Sequence, residues 1–261
     1  MNLPCGTRRA RTFVLSMVLP VLAPGISSSA AAAGAHADKK EKPKSEAAQT
    51  VDSGSFGIFI NNQRVATETF RIDRQNGNSI IKSQLKETAE TDAGQKSDME
   101  IGPSGDLLTY SWSQSTGGTL SVFPNNDFLK ERIAASGTAK AAEVAFLLPN
   151  STPILDNNFF VHRELLVWKY LATAPCKDEN GKRQCQGVDF GTLVPQDRQS
   201  MPVRMELVGK EKVNIRGTDR ELLRLKLTGD SFDWALWVDD QDHFKLIRVE
   251  IPADITVVVR D

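Results

Sequence analysis

The segment Ile154–Ala174, ILDNNFFVHRELLVWKYLATA, constrains the fold most, because it is apolar on nearly every side. Pro153 can begin a helix, and Asp156 or Asn157 can cap it. A helix that is apolar nearly all round is buried, so we predict a helix inside or across a sheet. The alternative is a strand from Phe159 to Thr173. The large apolar residues would occupy two adjacent helical faces: Val161, Leu165 and Trp168 on one, and Phe159, Leu166 and Tyr170 on the other.

Segments that alternate apolar and polar residues lie on both sides of this helix. In ELLRLKLTG, residues 221–229, three alternate leucines share one face, as in a strand with one buried side. Turn signals such as Asn76-Gly77 separate the segments, and such short connections predict antiparallel pairing. We expect about eleven strands, one set from about Ser53 to Leu148 and a second from about Val188 to Arg260.

A meander of this length must curl, since a flat sheet would leave its edges and its apolar face exposed. We therefore predict a mainly β fold built as a closed or partly closed barrel. The strand around residues 233–238 fits this interpretation, because Trp234, Leu236 and Val238 share one face while Trp237 projects from the other. Such a strand is expected to be covered on both sides, by the helix within and by another element outside.

The first 37 residues have the pattern of a cleavable secretory signal. Three arginines precede the apolar run Phe13–Ala23, which is too short to span a bilayer, and Ala35-His36-Ala37 matches a cleavage site. The alternative is an N-terminal membrane anchor. The charged, proline-containing stretch that follows has no large apolar residue, so we expect it to be disordered. The predicted organisation is a signal peptide over 1–37, a linker over 38–50 and a single β-rich domain over 51–261.

Charge and cysteine content narrow the class of protein. The formal net charge of −1 becomes −4 once the three signal arginines are removed, which argues against nucleic-acid binding. Cys176 and Cys185 flank a polar loop with an Asn-Gly turn signal, and in an exported protein they predict a disulfide. A metal site at these cysteines is the alternative, but it would need further ligands nearby.

Five short segments together carry a resemblance to a known group. They are Val65–Phe70 after the Asn61-Asn62 turn, Ile154–Phe160, Leu236–Asp239, Leu246–Val249 and Val257–Arg260. The chain resembles exported bacterial proteins of unknown function related to the LolA/LolB-like lipoprotein-carrier superfamily, although Ala66 stands where the first hairpin often has glycine. The resemblance implies an unclosed β-barrel with a central helix over an apolar cavity, and a periplasmic location in a Gram-negative type of envelope. The better-known members hold acyl chains.

The sequence offers few candidates for catalysis. His162-Arg163-Glu164 echoes the His-x-Glu of zinc deaminases, but the Pro-Cys-x-x-Cys that those enzymes need is missing. We expect His162 to be a helix-surface residue or a hydrogen-bonded interior one, with Glu164 beside it on the least buried stripe. Asp239-Asp240-Gln241-Asp242 could collect Ca²⁺, but a solvated turn is the favoured interpretation. We predict no catalytic residue, no metal and no cofactor.

These observations predict a non-catalytic cell-envelope protein that binds a lipid or another apolar ligand in the half-barrel groove. An envelope hydrolase with a site near His162 and Glu164 is one alternative, and a scaffold bound to an envelope protein partner is another. We expect no transmembrane segment after signal removal. The ligand-binding residues predicted for the groove are Phe159, Leu166, Trp168 and Trp234.

Overall fold

The computed structural model describes residues 47–134, 141–179 and 182–261. The predicted signal peptide lies outside the described residues, as does most of the predicted linker. The first strand begins at Gln49, inside the C-terminal end of that linker. Eight strands precede the helix: β1 (Gln49–Ile60), β2 (Gln63–Gln75), β3 (Asn78–Glu87), β4 (Gln95–Ile101), β5 (Leu107–Gln114), β6 (Thr119–Asn125), β7 (Phe128–Ala134) and β8 (Ala142–Phe146).

The second half of the domain begins with helix α1, Val161–Thr173. A small hairpin follows, and the Cys176–Cys185 disulfide joins its two strands with a Cα–Cα distance of 4.0 Å. The predicted disulfide is therefore confirmed. The strands after the helix are β9 (Cys176–Glu179), β10 (Lys182–Cys185), β11 (Val188–Val194), β12 (Gln199–Ile215), β13 (Thr218–Gly229), β14 (Phe232–Asp239), β15 (Lys245–Ile251) and β16 (Thr256–Arg260).

Fourteen of these strands form one antiparallel sheet, and β9 pairs with β10 as a separate hairpin. The sheet runs from β11 through β16, then β1, and on to β8, so the pairing of β16 with β1 joins the two sets. The edge strands β11 and β8 are not paired to each other within the described residues, and the sheet is not closed. The predicted class, an unclosed antiparallel sheet with a helix between two sets of strands, is confirmed.

The predicted number of strands was wrong, because the described residues contain sixteen rather than about eleven. Short strands such as β4, with the sequence QKSDMEI, carry too few apolar residues to produce a clear alternation. Such strands are held by the neighbours with which they pair rather than by their own side chains.

The sheet wraps around α1. Its 14 strands would span roughly 60 Å if flat, at about 4.8 Å per strand, whereas a 13-residue helix is only about 20 Å long. A helix this short can contact distant strands only if the sheet curls round it. Its hydrogen bonds reach three separated strands: Tyr170 Oη accepts from Leu207 N of β12 at 3.0 Å, Glu164 Oε2 accepts from Leu246 N of β15 at 3.0 Å, and Val161 N donates to Glu68 Oε1 of β2 at 3.2 Å.

The inner face of the sheet and α1 share the main hydrophobic core, as the alternation predicts. On β14, Leu236 and Val238 are buried in that core and Trp234 packs against it, whereas Trp237 joins a separate cluster on the outer face. Side chains of neighbouring strands cover Trp237, with the guanidinium of Arg224 5.5 Å from the centre of its ring. Among the described residues, no helix is long and apolar enough to cross a membrane.

Candidate functional site

The start of α1 differs from the predicted start. The helix begins at Val161 rather than near Pro153, and its N-cap residue, Phe160, makes no side-chain capping bond. Asp156 instead forms a local turn, in which its Oδ1 accepts from the backbone N–H of Asn158 at 2.7 Å. Asp156 therefore shapes the approach to the helix and does not cap it.

Glu68 of β2 caps the helix from across the core. Its carboxylate accepts from the backbone N–H of Phe160 at 2.6 Å and of Val161 at 3.2 Å, and from Ser83 Oγ at 2.7 Å. Burial raises the pKa of Glu68 to about 7, although these three hydrogen bonds and the charge of Arg163 act in the opposite direction. A carboxylate at a helix N-terminus also meets the positive end of the helix dipole.

Sequence reasoning did not single out Glu68. It shares the inner face of β2 with Ala66 and Phe70, so an acid occupies a position where the alternation calls for an apolar residue. An acid on the buried face of a strand is the signal that could have found it. The sequence does not indicate its partners at Phe160 and Val161, which lie more than ninety residues further along the chain.

Arg163 is fully buried beside this cap. Its guanidinium carbon lies 5.1 Å from the ring centre of Phe160 and 5.0 Å from that of Trp234, and Nη1 donates to the carbonyl of Phe159 at 2.7 Å. Nη1 also donates to the carbonyl oxygen of Asp156. The indole ring of Trp234, which is also a predicted ligand-binding residue, therefore contacts the guanidinium of Arg163.

The side chain of buried Asp156 is the centre of a further group of hydrogen bonds. Its Oδ2 accepts from the hydroxyl of Tyr110 and, at 2.6 Å, from Gln196 Nε2. Burial raises the pKa of Tyr110 well above its usual value, so its hydroxyl stays protonated and acts as a donor. These contacts connect β5, the loop before α1 and the turn after β11.

His162 and Glu164 do not form a pair. Positions two apart on an α-helix point about 200° apart, and these two side chains lie in different surroundings. The ring of His162 lies 5.9 Å from that of Tyr110 and has no hydrogen-bond partner among the described residues, whereas Glu164 accepts from Leu246 N. The expectation that they mark the least buried stripe was wrong, because their exposed fractions are 1% and 0%. Contacts with β15 and β16 allow Glu164 to be buried, whereas His162 is buried with no hydrogen-bond partner among the described residues.

Glu164 belongs to a buried cluster that joins the two ends of the domain. Arg260 of β16 donates to Asp52 of β1 at 2.6 Å and lies 3.4 Å from Glu164 Oε2. Burial and the neighbouring carboxyl of Asp52 raise the pKa of Glu164 well above its usual value. This cluster therefore locks α1, the first strand and the last strand together.

Glu131 of β7 is buried on the inner face of the sheet, and neither carboxyl oxygen has a hydrogen-bond partner among the described residues. Burial raises its pKa from 4.5 to about 7, against the opposing charge of Arg198. The folded protein therefore holds this proton at pH values where the unfolded chain has lost it. The contribution of this bound proton to the free energy of unfolding is fully present below pH 4.5 and is lost as the pH rises through 7.

Replacing Glu131 with glutamine is expected to stabilise the protein at pH 8 by about 1–3 kcal/mol and to have little effect near pH 4.5. The amide resembles the protonated carboxyl and carries no charge to bury. Urea unfolding of both proteins across this pH range measures the difference. Glu143→Gln on β8 is the control, because Lys130 and Arg132 lower the pKa of this exposed carboxyl. Equal gains from both variants at pH 8 would contradict the account.

A cavity of about 380 Å³ lies beside α1. Its size falls within the range of small-molecule sites, about 300–1,000 Å³. Its lining includes the cations Arg74 and Lys169, the exposed Ala172 and two buried polar residues, Thr152 and His162. Apolar side chains from the helix and from β4 and β5 form most of the wall: Met99, Ile101, Leu107, Leu165, Leu166 and Trp168.

Two of the four predicted ligand-binding residues, Leu166 and Trp168, line this cavity. Phe159 is fully buried in the core and Trp234 is half-buried against Arg163, and neither lines this cavity. Their binding role stays a prediction.

The acidic segment after β14 is a turn whose carboxylates are paired with cations, as Asp240 is with Lys210 at 2.8 Å. In the part of the chain that the structure describes, no three His, Cys, Asp or Glu residues are placed to hold a metal.

No protein-family model matches the chain, and no curated protein matches it. A solved structure described as a β-barrel-like protein of the domain of unknown function DUF1849 from Brucella abortus is similar to it. The similarity covers 80% of this chain and 94% of that one, at 4% sequence identity and a TM-score of 0.44. The relation to lipoprotein carriers stays a prediction.

Proposed function

We propose that this chain is an exported, non-catalytic envelope protein that binds one apolar ligand, such as an acyl chain, in the cavity beside α1. The observation that carries the proposal is the cavity itself, which combines a mostly apolar wall with two cationic lining residues, Arg74 and Lys169. Leu165, Leu166 and Trp168 supply contact area from the helix. The exposed Arg74 is suited to a negatively charged or polar headgroup, whereas the ammonium of Lys169 already donates to the carbonyl of Ser151.

The free energy of burying methylene groups sets a minimum length for the apolar chain of the ligand. Each buried methylene contributes about 0.8 kcal/mol, whereas association costs about 4–15 kcal/mol before any net binding results. A chain of roughly ten or more methylenes is therefore needed for useful affinity. The polar clusters at Glu68, Asp156 and Glu164 support binding indirectly, because they hold α1 in one position against the curled sheet.

A hydrolase built on His162 and Glu164 is not proposed. The two side chains face different surroundings, and Glu164 is already bonded to Leu246 and Arg260. A general base must reach the proton that it removes, and a nucleophile must lie within hydrogen-bond distance of its base. Neither group has a partner of that kind in the described part of the chain.

Replacing Ala172 with tryptophan is expected to weaken binding of an apolar dye at least tenfold, because the indole would occupy the border of the cavity. Titration with N-phenyl-1-naphthylamine, followed by fluorescence, measures saturable binding to the purified protein. Ala253→Trp provides a matched control, since this exposed alanine lies beside a different depression on the outer surface. An equal loss in both variants, or no saturable binding to the native protein, would count against the proposal.

A further inference from the structure

His162 combines two properties that rarely occur together. Its side chain is 1% exposed and lines the cavity beside α1, yet neither ring nitrogen has a hydrogen-bond partner among the described residues. Its nearest aromatic neighbours offer no free group, since the ring of Phe159 is apolar and the hydroxyl of Tyr110 donates to Asp156. Most buried polar side chains are hydrogen-bonded, and an unpaired buried donor or acceptor is costly.

The charge state of His162 limits what can pair with it. Burial lowers the pKa of His162 to about 4, with Arg163 acting in the same direction and Asp156 opposing it. The ring is therefore neutral at neutral pH, with one nitrogen as a donor and the other as an acceptor. A hydroxyl group can pair with either nitrogen, because it both donates and accepts. An ether or ketone can pair only with the N–H, and an ammonium group only with the bare nitrogen.

An ionised partner fits the surroundings of His162 less well. Most of the cavity wall is apolar, and a charge brought beside the buried imidazole loses its hydration without a compensating ion pair. Of the two cations in the lining, Arg74 is exposed and the ammonium of half-buried Lys169 donates to the carbonyl of Ser151. A neutral group that gives and takes one hydrogen bond is therefore the best match for the buried imidazole.

We infer that the cavity takes an apolar ligand that carries a hydroxyl group, and that His162 hydrogen-bonds to this hydroxyl. The inference rests on the proposed function and adds the chemical class of the ligand. His162 acts here as a specificity-determining residue and not as a catalytic one. The inner surface of the cavity would then distinguish a hydroxylated chain from a plain hydrocarbon chain of the same length.

Two probes of equal chain length, decan-1-ol and 1-chlorodecane, test this by displacing N-phenyl-1-naphthylamine. The dissociation constant of 1-chlorodecane is divided by that of decan-1-ol for each protein. This ratio is expected to be about tenfold larger in the native protein than in His162→Phe. Comparing the two ratios cancels the different hydration of the two probes in water. The phenyl ring keeps the aromatic packing and removes both hydrogen-bonding nitrogens.

A second measurement needs no variant. The imidazole ¹⁵N resonances of His162 in the full native chain are expected to shift when decan-1-ol is added and to stay in place with 1-chlorodecane. If both probes displace the dye, with the ratio unchanged and the resonances unmoved, the inference is overturned and the proposed function stands. If neither probe displaces the dye, the proposed function fails and the inference fails with it.

Discussion

Replacing Glu68 with alanine lowers the free energy of unfolding by about 3–5 kcal/mol at pH 7, the larger of the two effects expected from the buried clusters. The substitution leaves three buried donors without their acceptor: the backbone N–H groups of Phe160 and Val161, and the hydroxyl of Ser83. It also removes a carboxyl close to Arg163 that is about half ionised at pH 7. The free energy lost with these contacts exceeds the desolvation cost that is avoided, because the three donors and the nearby Arg163 stabilise the buried carboxyl.

Urea unfolding at pH 7 measures this effect, with Glu87→Ala as the control. Glu87 is an exposed acid of β3, and its loss is expected to change stability by no more than about 0.5 kcal/mol. Glu68→Gln keeps one acceptor oxygen and is expected to recover part of the loss. Losses of equal size from Glu68→Ala and Glu87→Ala would show that the cap does not hold the helix.

Replacing Arg163 with methionine lowers the free energy of unfolding by about 3 kcal/mol. Methionine can fill much of the space between Phe160 and Trp234, but it cannot donate to the carbonyl of Phe159. It also leaves Glu68 buried without the nearby positive charge. Arg71→Met is the matched control, because Arg71 is exposed on the outer face and its pairing with Asp73 is a surface ion pair.

A double-mutant cycle measures the coupling energy between Glu68 and Arg163. The combined variant Glu68→Gln/Arg163→Met is expected to lose less stability than the two single variants together, since the charges are removed as a pair. Strict additivity would mean that the two residues act independently. A higher free energy of unfolding in Arg163→Met alone would mean that the buried guanidinium destabilises the native protein.

Most of the architecture could be predicted from local patterns. The alternation in segments such as residues 221–229, the apolar helix and the two cysteines each depend on residues close together in sequence. The antiparallel order followed from the short turns. The strand count was underestimated because polar strands such as β4 depend on their neighbours for pairing.

The candidate site could be predicted only in part, because its polar contacts are long-range. Leu166 and Trp168, predicted from their place on an apolar helix, both line the cavity, and their binding role stays a prediction. The burial of Glu164 could not be predicted, since an acid on a helix is expected to face water until its distant partners, Leu246 and Arg260, are known. The capping role of Glu68 depends on the same curling of the sheet that brings β2 to the start of α1.

Native mass spectrometry of the protein extracted from a bacterial envelope tests the central claim most directly, which is that the cavity beside α1 holds one apolar ligand. The full chain is expressed, purified without denaturant and compared with Ala172→Trp and the control Ala253→Trp. We expect one bound amphiphile per native chain, retained in the control and largely lost in Ala172→Trp. A native chain that stays bare, even after incubation with total envelope lipids, would contradict the account.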